Sequence, residues 1–166
     1  MKSNFPVEKI TKKILNTNSL KHFLDENRWK KTIFTNGCFD LLHYWHLYYL
    51  AEVKKLGEIL IVGINSDSSI SLLKGDHRPI NDETSRLYQI ASLEYVDAVI
   101  LFEDNTPINL IKNIKPSILA KGGDYKKTEV VWYEIVEEYG WSIYIASLLP
   151  NYSTSALEKK ILNNIK

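Results

Sequence analysis

The sequence predicts an α/β fold in which a doubly wound, mostly parallel sheet of five strands carries helices on both faces. Short apolar runs without polar alternation are typical of strands that are buried on both faces. Longer amphipathic stretches separate these runs, and this alternation of strand and helix favours right-handed crossovers between parallel strands. The runs lie at 32–35, 59–64, 98–102, 117–120 and 142–146.

Helical periodicity and end signals place helices between and after these strands. The Thr106-Pro107 pair favours a capping hydroxyl followed by proline at the first helical position. Ser155 stands three residues before a glutamate, which fits a capping box at the start of the last helix. Gly57 and Gly140 each follow a helical stretch, where a left-handed C-cap residue is expected. The predicted helices lie at about 43–56, 82–94, 107–114, 128–139 and 155–165.

The first 31 residues are polar and helix-prone. Their apolar residues recur at helical spacing in two groups on either side of a polar break, which predicts two short helices. A chain of 166 residues corresponds by its size to one domain. We therefore expect a single domain over 1–166, with an N-terminal helical extension at 1–31 and a Rossmann-like core at 32–166.

Composition argues against several classes of protein. The chain has 21 Lys+Arg and 20 Asp+Glu, whereas a nucleic-acid binder usually carries a basic excess. The single cysteine, Cys38, excludes an internal disulfide and a thiolate metal cluster. No apolar run approaches the ~20 residues of a membrane span, and the start lacks the apolar segment of a signal peptide. A cytoplasmic protein without nucleic-acid or membrane partners is expected.

The end of the first predicted strand, where a doubly wound sheet binds ligands, is followed by two histidines. His43 and His46 are spaced i, i+3 in the first turn of a helix, so both rings can face one side. The unpaired N–H groups at that helix end favour a phosphate, and two imidazoles there could stabilise charge during its transfer. Two structural histidines are the alternative, and a zinc site is disfavoured because no third ligand is near.

Two residues ahead of this helix have more than one interpretation. Asp40 is either the N-cap of the helix or a carboxylate that faces the ligand and its metal. Gly37, in the turn from strand to helix, indicates either a positive φ or a close approach of the backbone to a ligand.

Other strand and helix ends also carry residues that can bind phosphate. Lys74 and Arg78 are two cations in one loop, although an exposed basic loop is often only solvated. Arg86, taken alone, is expected at the surface. The glycine pair after Lys121 can turn backbone N–H groups toward a ligand or form an ordinary turn. Ser153 and the hydroxyls after it mark a second anion site or a helix cap.

The order of these motifs resembles that of the cytidylyltransferase-like nucleotidyltransferases, whose superfamily motif is His-x-Gly-His. Within that superfamily the chain is most similar to the bacterial D-glycero-β-D-manno-heptose 1-phosphate adenylyltransferases, which make ADP-heptose for lipopolysaccharide. Asn-Gly-Cys-Phe-Asp at 36–40 and Lys-Gly-Gly-Asp-Tyr-Lys at 121–126 are specific to this branch. The resemblance covers about 32–161, with further matches at Asn65-Ser-Asp, Leu73-Lys-Gly, Arg78-Pro-Ile, Val96-Asp, Thr106-Pro and Ser153-Thr.

The resemblance implies a nucleotidyltransferase that joins a sugar 1-phosphate to ATP and releases pyrophosphate. Mg²⁺ would arrive mainly with the triphosphate, with Asp40 as a candidate ligand, and members of the superfamily are often homodimers. By matching position, the catalytic residues would be His43, His46 and Lys74. The nucleotide-binding residues would be Thr35, Asn36, Gly37, Phe39, Asp40, Arg86 (toward the leaving pyrophosphate), Lys121, Gly122, Asp124, Ser153 and Thr154. The sugar-phosphate-binding residues would be Asp67, Arg78 and Tyr125.

Two departures from the family pattern concern the ligand pockets. Trp45 stands where the family motif has glycine. Its indole either points away from a working site, or reshapes the pocket for another triphosphate or acceptor, or blocks the site and leaves a non-catalytic nucleotide-binding relative. Trp132-Tyr133, where small residues are expected, indicates an altered acceptor side or an interface. The alternative enzyme is a cytidylyltransferase that acts on glycerol 3-phosphate or another phosphorylated alcohol.

Overall fold

The computed structural model describes residues 7–104, 106–123, 136 and 138–164, and it confirms the parallel α/β fold. The strands are β1 (Ile14–Leu15), β2 (Thr32–Gly37), β3 (Ile59–Asn65), β4 (Ala98–Phe102), β5 (Ile118–Gly122) and β6 (Ser142–Ala146). The helices are α1 (Val7–Thr11), α2 (Thr17–Glu26), α3 (Tyr44–Lys54), α4 (Asp67–Lys74), α5 (Glu83–Ala91), α6 (Ile108–Ile114) and α7 (Thr154–Asn164). All strand pairs are parallel, in the order β1-β4-β3-β2-β5-β6.

In the described part of the chain the sheet has six strands, one more than the sequence predicted. Ile14 and Leu15 form β1 and pair in register with Val99 and Ile100 of β4. The segment before residue 32 is therefore not only helical, because it supplies an edge strand to the sheet. A strand of two residues is too short to show a period of its own, and its apolar residues also fitted helical spacing.

The core explains why the strand runs lack polar alternation. All seven residues of β3 are buried, and its neighbouring side chains belong to different apolar clusters. Val62 packs in one cluster and Ile61 in the other, because successive side chains of a strand point to opposite faces. Both faces of the sheet are thus covered, and apolar side chains are favoured at every position of the central strand.

The strand order reverses between β2 and β5. From β2 the chain adds β3 and β4 on one side, and β5 and β6 lie on the other. Ligands of open α/β sheets bind outside the carboxyl ends of the strands at such a reversal. Since β2 ends at Gly37 and β5 at Gly122, the segments that follow them lie side by side at this point.

Two predicted helix starts are shifted in the structure. Ser153, rather than Ser155, caps α7, because its Oγ accepts a hydrogen bond from the N–H of Ala156 at 3.1 Å. Pro107 occupies the N-cap of α6 and not its first helical position. Both errors are of one or two residues, which is the usual uncertainty of helix ends.

The two predicted C-cap glycines behave differently. Gly140 adopts the left-handed conformation with φ of 68°, as expected. Gly57 instead permits a close packing contact, because a Cβ on it would lie 2.6 Å from the carbonyl oxygen of Lys31. The small size of Gly57, and not a left-handed φ, is therefore what this position requires.

Helix α4 was not predicted, because Asp-Ser-Ser at its start is a poor helix-forming sequence. It follows β3 directly and is capped by the Ser66 side chain, which accepts from the N–H of Ser69. The helix predicted at 128–139 lies mostly outside the described residues. Among the helices that are described, none has the length and hydropathy required to cross a bilayer.

Candidate active site

Two stacked histidine rings lie where α3 begins. His43 is the N-cap of α3 and His46 is the third residue of the helix. The ring centroids are 3.8 Å apart with an interplanar angle of 24°, and the Phe39 ring lies 5.2 Å from His46. The i, i+3 spacing therefore places both imidazoles on one side of the helix N-terminus, as the sequence predicted.

Burial keeps these imidazoles uncharged at neutral pH. Burial lowers the pKa of His43. Burial, together with the proximity of His43 and Lys74, lowers the pKa of His46 to about 3. Among the described residues, neither Nδ1 atom has a hydrogen-bond partner although both atoms are buried. Two neutral rings with unpaired polar atoms can donate hydrogen bonds to an anion.

We expect the ring of His46 to remain neutral when the free protein is acidified from pH 8 to pH 5. Its ¹³Cε1–¹H NMR signal, assigned by its loss in His46→Gln, should not move through this range, since the pKa is about 3. Because the unfolded ring binds a proton below about pH 6.5 and the folded ring does not, the folded state should lose stability as the pH falls below that value. A His46 signal that titrates with a midpoint near 6.5 would contradict this electrostatic account.

The turn from β2 to α3 has its left-handed residue at Phe39 and not at Gly37. Phe39 has φ of 48°, and its ring packs over Gly37, where a Cβ would lie 3.0 Å from the ring. Of the two interpretations of Gly37, the structure therefore excludes the positive φ. The small residue at Gly37 is needed because an aromatic side chain, itself buried, covers it.

Asp40 is a buried acceptor that organises a neighbouring loop. Its carboxylate accepts hydrogen bonds from Arg78 at 2.8 Å and from the backbone N–H groups of Ile80 and Asn81 at 2.8 and 2.9 Å. Burial by itself would raise the pKa of Asp40, but these hydrogen bonds outweigh it and lower the pKa below its ordinary value. The interpretation of Asp40 as the N-cap of α3 is wrong, because His43 occupies that position.

Arg86 is fully buried, which corrects the expectation of a surface residue. Its guanidinium donates to the carbonyl oxygens of Cys38 and Asn81 and to the carboxylate of Asp67, at 2.7 to 3.0 Å. Helix α5 thereby holds the β2–α3 turn, the loop before α5 and the start of α4 in one cluster. All three guanidinium nitrogens of Arg86 donate within the protein, so this side chain joins the segments that carry the histidine pair.

Lys121 and Asn36 connect the ends of β5 and β2 at the strand reversal. The Lys121 ammonium donates to Asn36 Oδ1 at 2.6 Å, and burial lowers the pKa of Lys121 to about 8. Thr35, one residue earlier in β2, shares a 2.7 Å hydrogen bond with the hydroxyl of Tyr49 on α3. The reversal thus contains a partly buried cation of the kind that attracts a phosphate.

Trp45 points into the interior, away from the exposed side of α3. Its indole N–H donates to the carbonyl oxygen of Ser147 at 3.1 Å, and its ring stacks on Tyr49 at 5.1 Å. The far edge of the indole covers Gly122 so closely that a Cβ on this glycine would collide with it. The indole is 9% exposed and therefore forms a wall between α3 and the ends of β5 and β6.

The remaining predicted residues fall into three groups. Lys74 is exposed at the end of α4, yet near enough to lower the pKa of His46. Ser153 and Thr154 stand at the start of α7. Asp124, Tyr125 and Trp132-Tyr133 lie outside the described residues. The structure adds Tyr49 and Asn81, which no sequence motif marks because their contacts join distant segments.

A large groove of about 780 Å³ lies at the opposite edge of the sheet, between α2 and α6. Thr32 and Ser117 line it at the amino ends of β2 and β5. Parallel sheets bind ligands at their carboxyl ends, so we place the site at the histidine pair and not in this groove. In the described part of the chain, no group of three His, Cys, Asp or Glu side chains could hold a metal ion.

The family model described as cytidylyltransferase-like matches residues 34–163, a span that contains the histidine pair and the strand reversal. The chain belongs to this family. It is therefore a member of a group of nucleotidyltransferase enzymes, as the motif order predicted.

Curated relatives named "Bifunctional protein HldE" match most of the chain. The protein of Nitratiruptor sp. is 50% identical over 134 residues, which are 81% of this chain and 28% of the relative. That of Helicobacter pylori is 50% identical over 149 residues, which are 90% of this chain and 31% of the relative. The chain thus spans about three tenths of the length of the curated relatives it matches.

Two solved structures share the fold. The lipopolysaccharide core biosynthesis protein of Thermoplasma volcanium is 30% identical with a TM-score of 0.58, covering 72% of this chain and 97% of its own. The pantoate-β-alanine ligase of Francisella tularensis has a TM-score of 0.58 at 16% identity, covering 92% of this chain and 77% of its own. At that identity the ligase supports the fold alone.

Proposed function

We propose that this protein transfers an adenylyl group from ATP to D-glycero-D-manno-heptose 1-phosphate. A phosphate oxygen of the sugar attacks the α-phosphorus, the bond from that phosphorus to the bridging oxygen of the β-phosphate breaks, and pyrophosphate leaves. The product is ADP-heptose. The observation that carries the proposal is the stacked pair of His43 and His46 at the N-terminus of α3, beside the strand reversal. Such a transfer requires positioning and charge stabilisation more than a nucleophile on the protein.

In this proposal each side chain acts through charge or hydrogen bonding on the triphosphate. The neutral rings of His43 and His46 donate to the phosphate oxygens on which charge develops as pyrophosphate departs. Lys74, near His46, and Lys121, at the end of β5, attract phosphates. The α7 start at Ser153 supplies further N–H groups and hydroxyls.

Mg²⁺ enters the proposed reaction as the partner of ATP. Both carboxylate oxygens of Asp40 already accept hydrogen bonds from the 78–81 loop, so the candidate ligand suggested by the sequence is occupied. In this proposal the metal is bound mainly by the oxygens of the triphosphate. When bound, the metal neutralises charge on the leaving pyrophosphate.

The relatives support a sugar acceptor over glycerol 3-phosphate. The curated relatives carry the HldE name, and the related Thermoplasma protein is named for lipopolysaccharide core biosynthesis. This chain matches about three tenths of the length of the bifunctional relatives, and the proposed activity is that of this segment.

The test is pyrophosphate release by the purified protein with Mg²⁺. ATP, CTP, GTP and UTP are each combined with heptose 1-phosphate, glycerol 3-phosphate and several hexose 1-phosphates. We expect turnover with ATP and heptose 1-phosphate alone. Turnover with CTP and glycerol 3-phosphate would replace the proposal with the cytidylyltransferase alternative. Nucleotide binding by calorimetry without turnover on any pair would favour the non-catalytic alternative.

Trp45 decides between a working and a blocked site. If the indole is part of a working site, Trp45→Gly should release pyrophosphate about tenfold more slowly. The variant lacks the aromatic ring that packs beside both histidines, with centroids 6.3 Å from His43 and 5.7 Å from His46. Trp45→Phe, which keeps a ring to stack on Tyr49, is the matched control and should retain most of the rate. A glycine variant that turns over faster than the wild type would show that the indole blocks the site.

A further inference from the structure

Helix α7, whose first turn carries Ser153 and Thr154, is weakly anchored by apolar contacts. None of its residues is fully buried, and Ile161 and Leu162 are exposed. A helix of this length is marginal in water unless other contacts hold it. Tyr152, just before α7, packs against Tyr44 at the start of α3 with ring centroids 5.1 Å apart, so α7 begins near the histidine pair. Polar contacts therefore contribute to holding the rest of the helix in place.

One such interaction joins α7 to the turn that follows β2. The guanidinium of Arg78 pairs with the carboxylate of Asp40 through one nitrogen and with the carboxylate of Glu158, on α7, through another. The Arg78 and Glu158 side chains are 19% and 29% exposed, and that of Asp40 is 2% exposed. Partly buried charge pairs of this kind are screened less by solvent than surface pairs.

Contacts with Asp40 and Ser71 hold Arg78 in place. Asp40 also accepts from the N–H groups of Ile80 and Asn81, and the Arg78 carbonyl accepts from the hydroxyl of Ser71 at 2.6 Å. The arginine is thus fixed at its backbone and at one guanidinium nitrogen, so its other nitrogen presents a fixed anchor to α7. Asp40, Arg78 and Glu158 thus connect the turn that follows β2 to α7.

We propose that Arg78 is a positioning residue that ties α7 to the nucleotide site through Glu158, and not a residue that contacts the sugar phosphate. The pair of Arg78 with Glu158 holds α7 so that Ser153 and Thr154, at its start, stay near the N-terminus of α3. We call the pair of Arg78 with Glu158 the tether. Its effect on catalysis rests on the proposed function, whereas the tether itself is a property of the free protein.

Hydrogen exchange of the free protein tests the tether directly. In Glu158→Gln, the amides at 157–164 should exchange about tenfold faster than in the wild type, because the ion pair with Arg78 is lost while the side-chain volume is kept. Lys160→Gln, two residues away on the exposed side of α7, is the matched control and should exchange like the wild type. Equal exchange in α7 of Glu158→Gln and the wild type would overturn the tether.

Steady-state kinetics test the consequence for the nucleotide. Glu158→Gln should raise the KM for the nucleoside triphosphate about five- to tenfold and change kcat by less than twofold, because the histidine pair is untouched. An equal loss in kcat, or an unchanged KM, would overturn the positioning role. Absence of turnover in the wild type would defeat the proposed function instead, and the exchange experiment would still decide the tether.

Discussion

Replacement of His46 with alanine is expected to lower kcat at least ~100-fold while the protein stays folded. The neutral ring of His46 is buried beside His43 and has an unpaired Nδ1. In the proposed reaction this ring donates to oxygens that gain charge only as pyrophosphate leaves, so its loss raises the energy of the transition state more than that of the bound substrate. The loss should therefore appear in kcat as well as in kcat/KM, measured by pyrophosphate release.

Two further variants test whether the loss of rate is specific to the imidazole of His46. His22→Ala, on the exposed side of α2, removes a histidine far from the site and should leave the rate unchanged. His46→Gln retains an N–H donor of similar reach and should recover part of the rate. A near-normal rate in His46→Ala, with circular dichroism confirming the fold, would remove this residue from the mechanism.

Arg86→Ala is expected to lower the free energy of unfolding by about 3–5 kcal/mol. The side chain is fully buried, and its three donated hydrogen bonds join the turn after β2, the loop before α5 and the start of α4. Alanine would leave two carbonyl oxygens without donors, the Asp67 carboxylate without its partner, and a cavity under the site. Urea unfolding measures the change as a shift of the midpoint.

Two other variants test whether the stability lost in Arg86→Ala comes from the burial of the side chain or from its charge. Arg28→Ala removes the same charge from an exposed position and should change the stability by less than about 0.5 kcal/mol. Arg86→Lys keeps the charge but cannot donate in three directions, so it should remain strongly destabilised. Wild-type stability in Arg86→Ala would mean that the buried cluster does not hold the site together.

The sequence was most informative where local patterns have a direct physical cause. Apolar runs without alternation identified the five core strands, because strands covered on both faces have no solvent side. The i, i+3 spacing of His43 and His46 placed both rings on one side of a helix start, and the structure stacks them there. Helix ends were one or two residues off at Ser153 and Pro107, where neighbouring residues compete for the same cap.

Contacts between distant segments could not be predicted from local patterns. Asp40 and Arg78 pair across 38 residues, and Arg86 binds the carbonyl of Cys38 across 48 residues. A single arginine in a helix has the same local pattern whether it is solvated or buried, so Arg86 was expected at the surface. The direction of the Trp45 indole, which lies over Gly122, depends likewise on how α3 packs against β5.

By itself the sequence therefore determined the parallel α/β fold, the position of the histidine pair and the family. Periodicity, spacing and motif order depend on residues that are near one another in the chain. Only the tertiary structure decided which charged residues are buried and paired inside the protein and which are exposed. That distinction depends on burial and on hydrogen-bond partners, which exist only after the strands and helices have packed together.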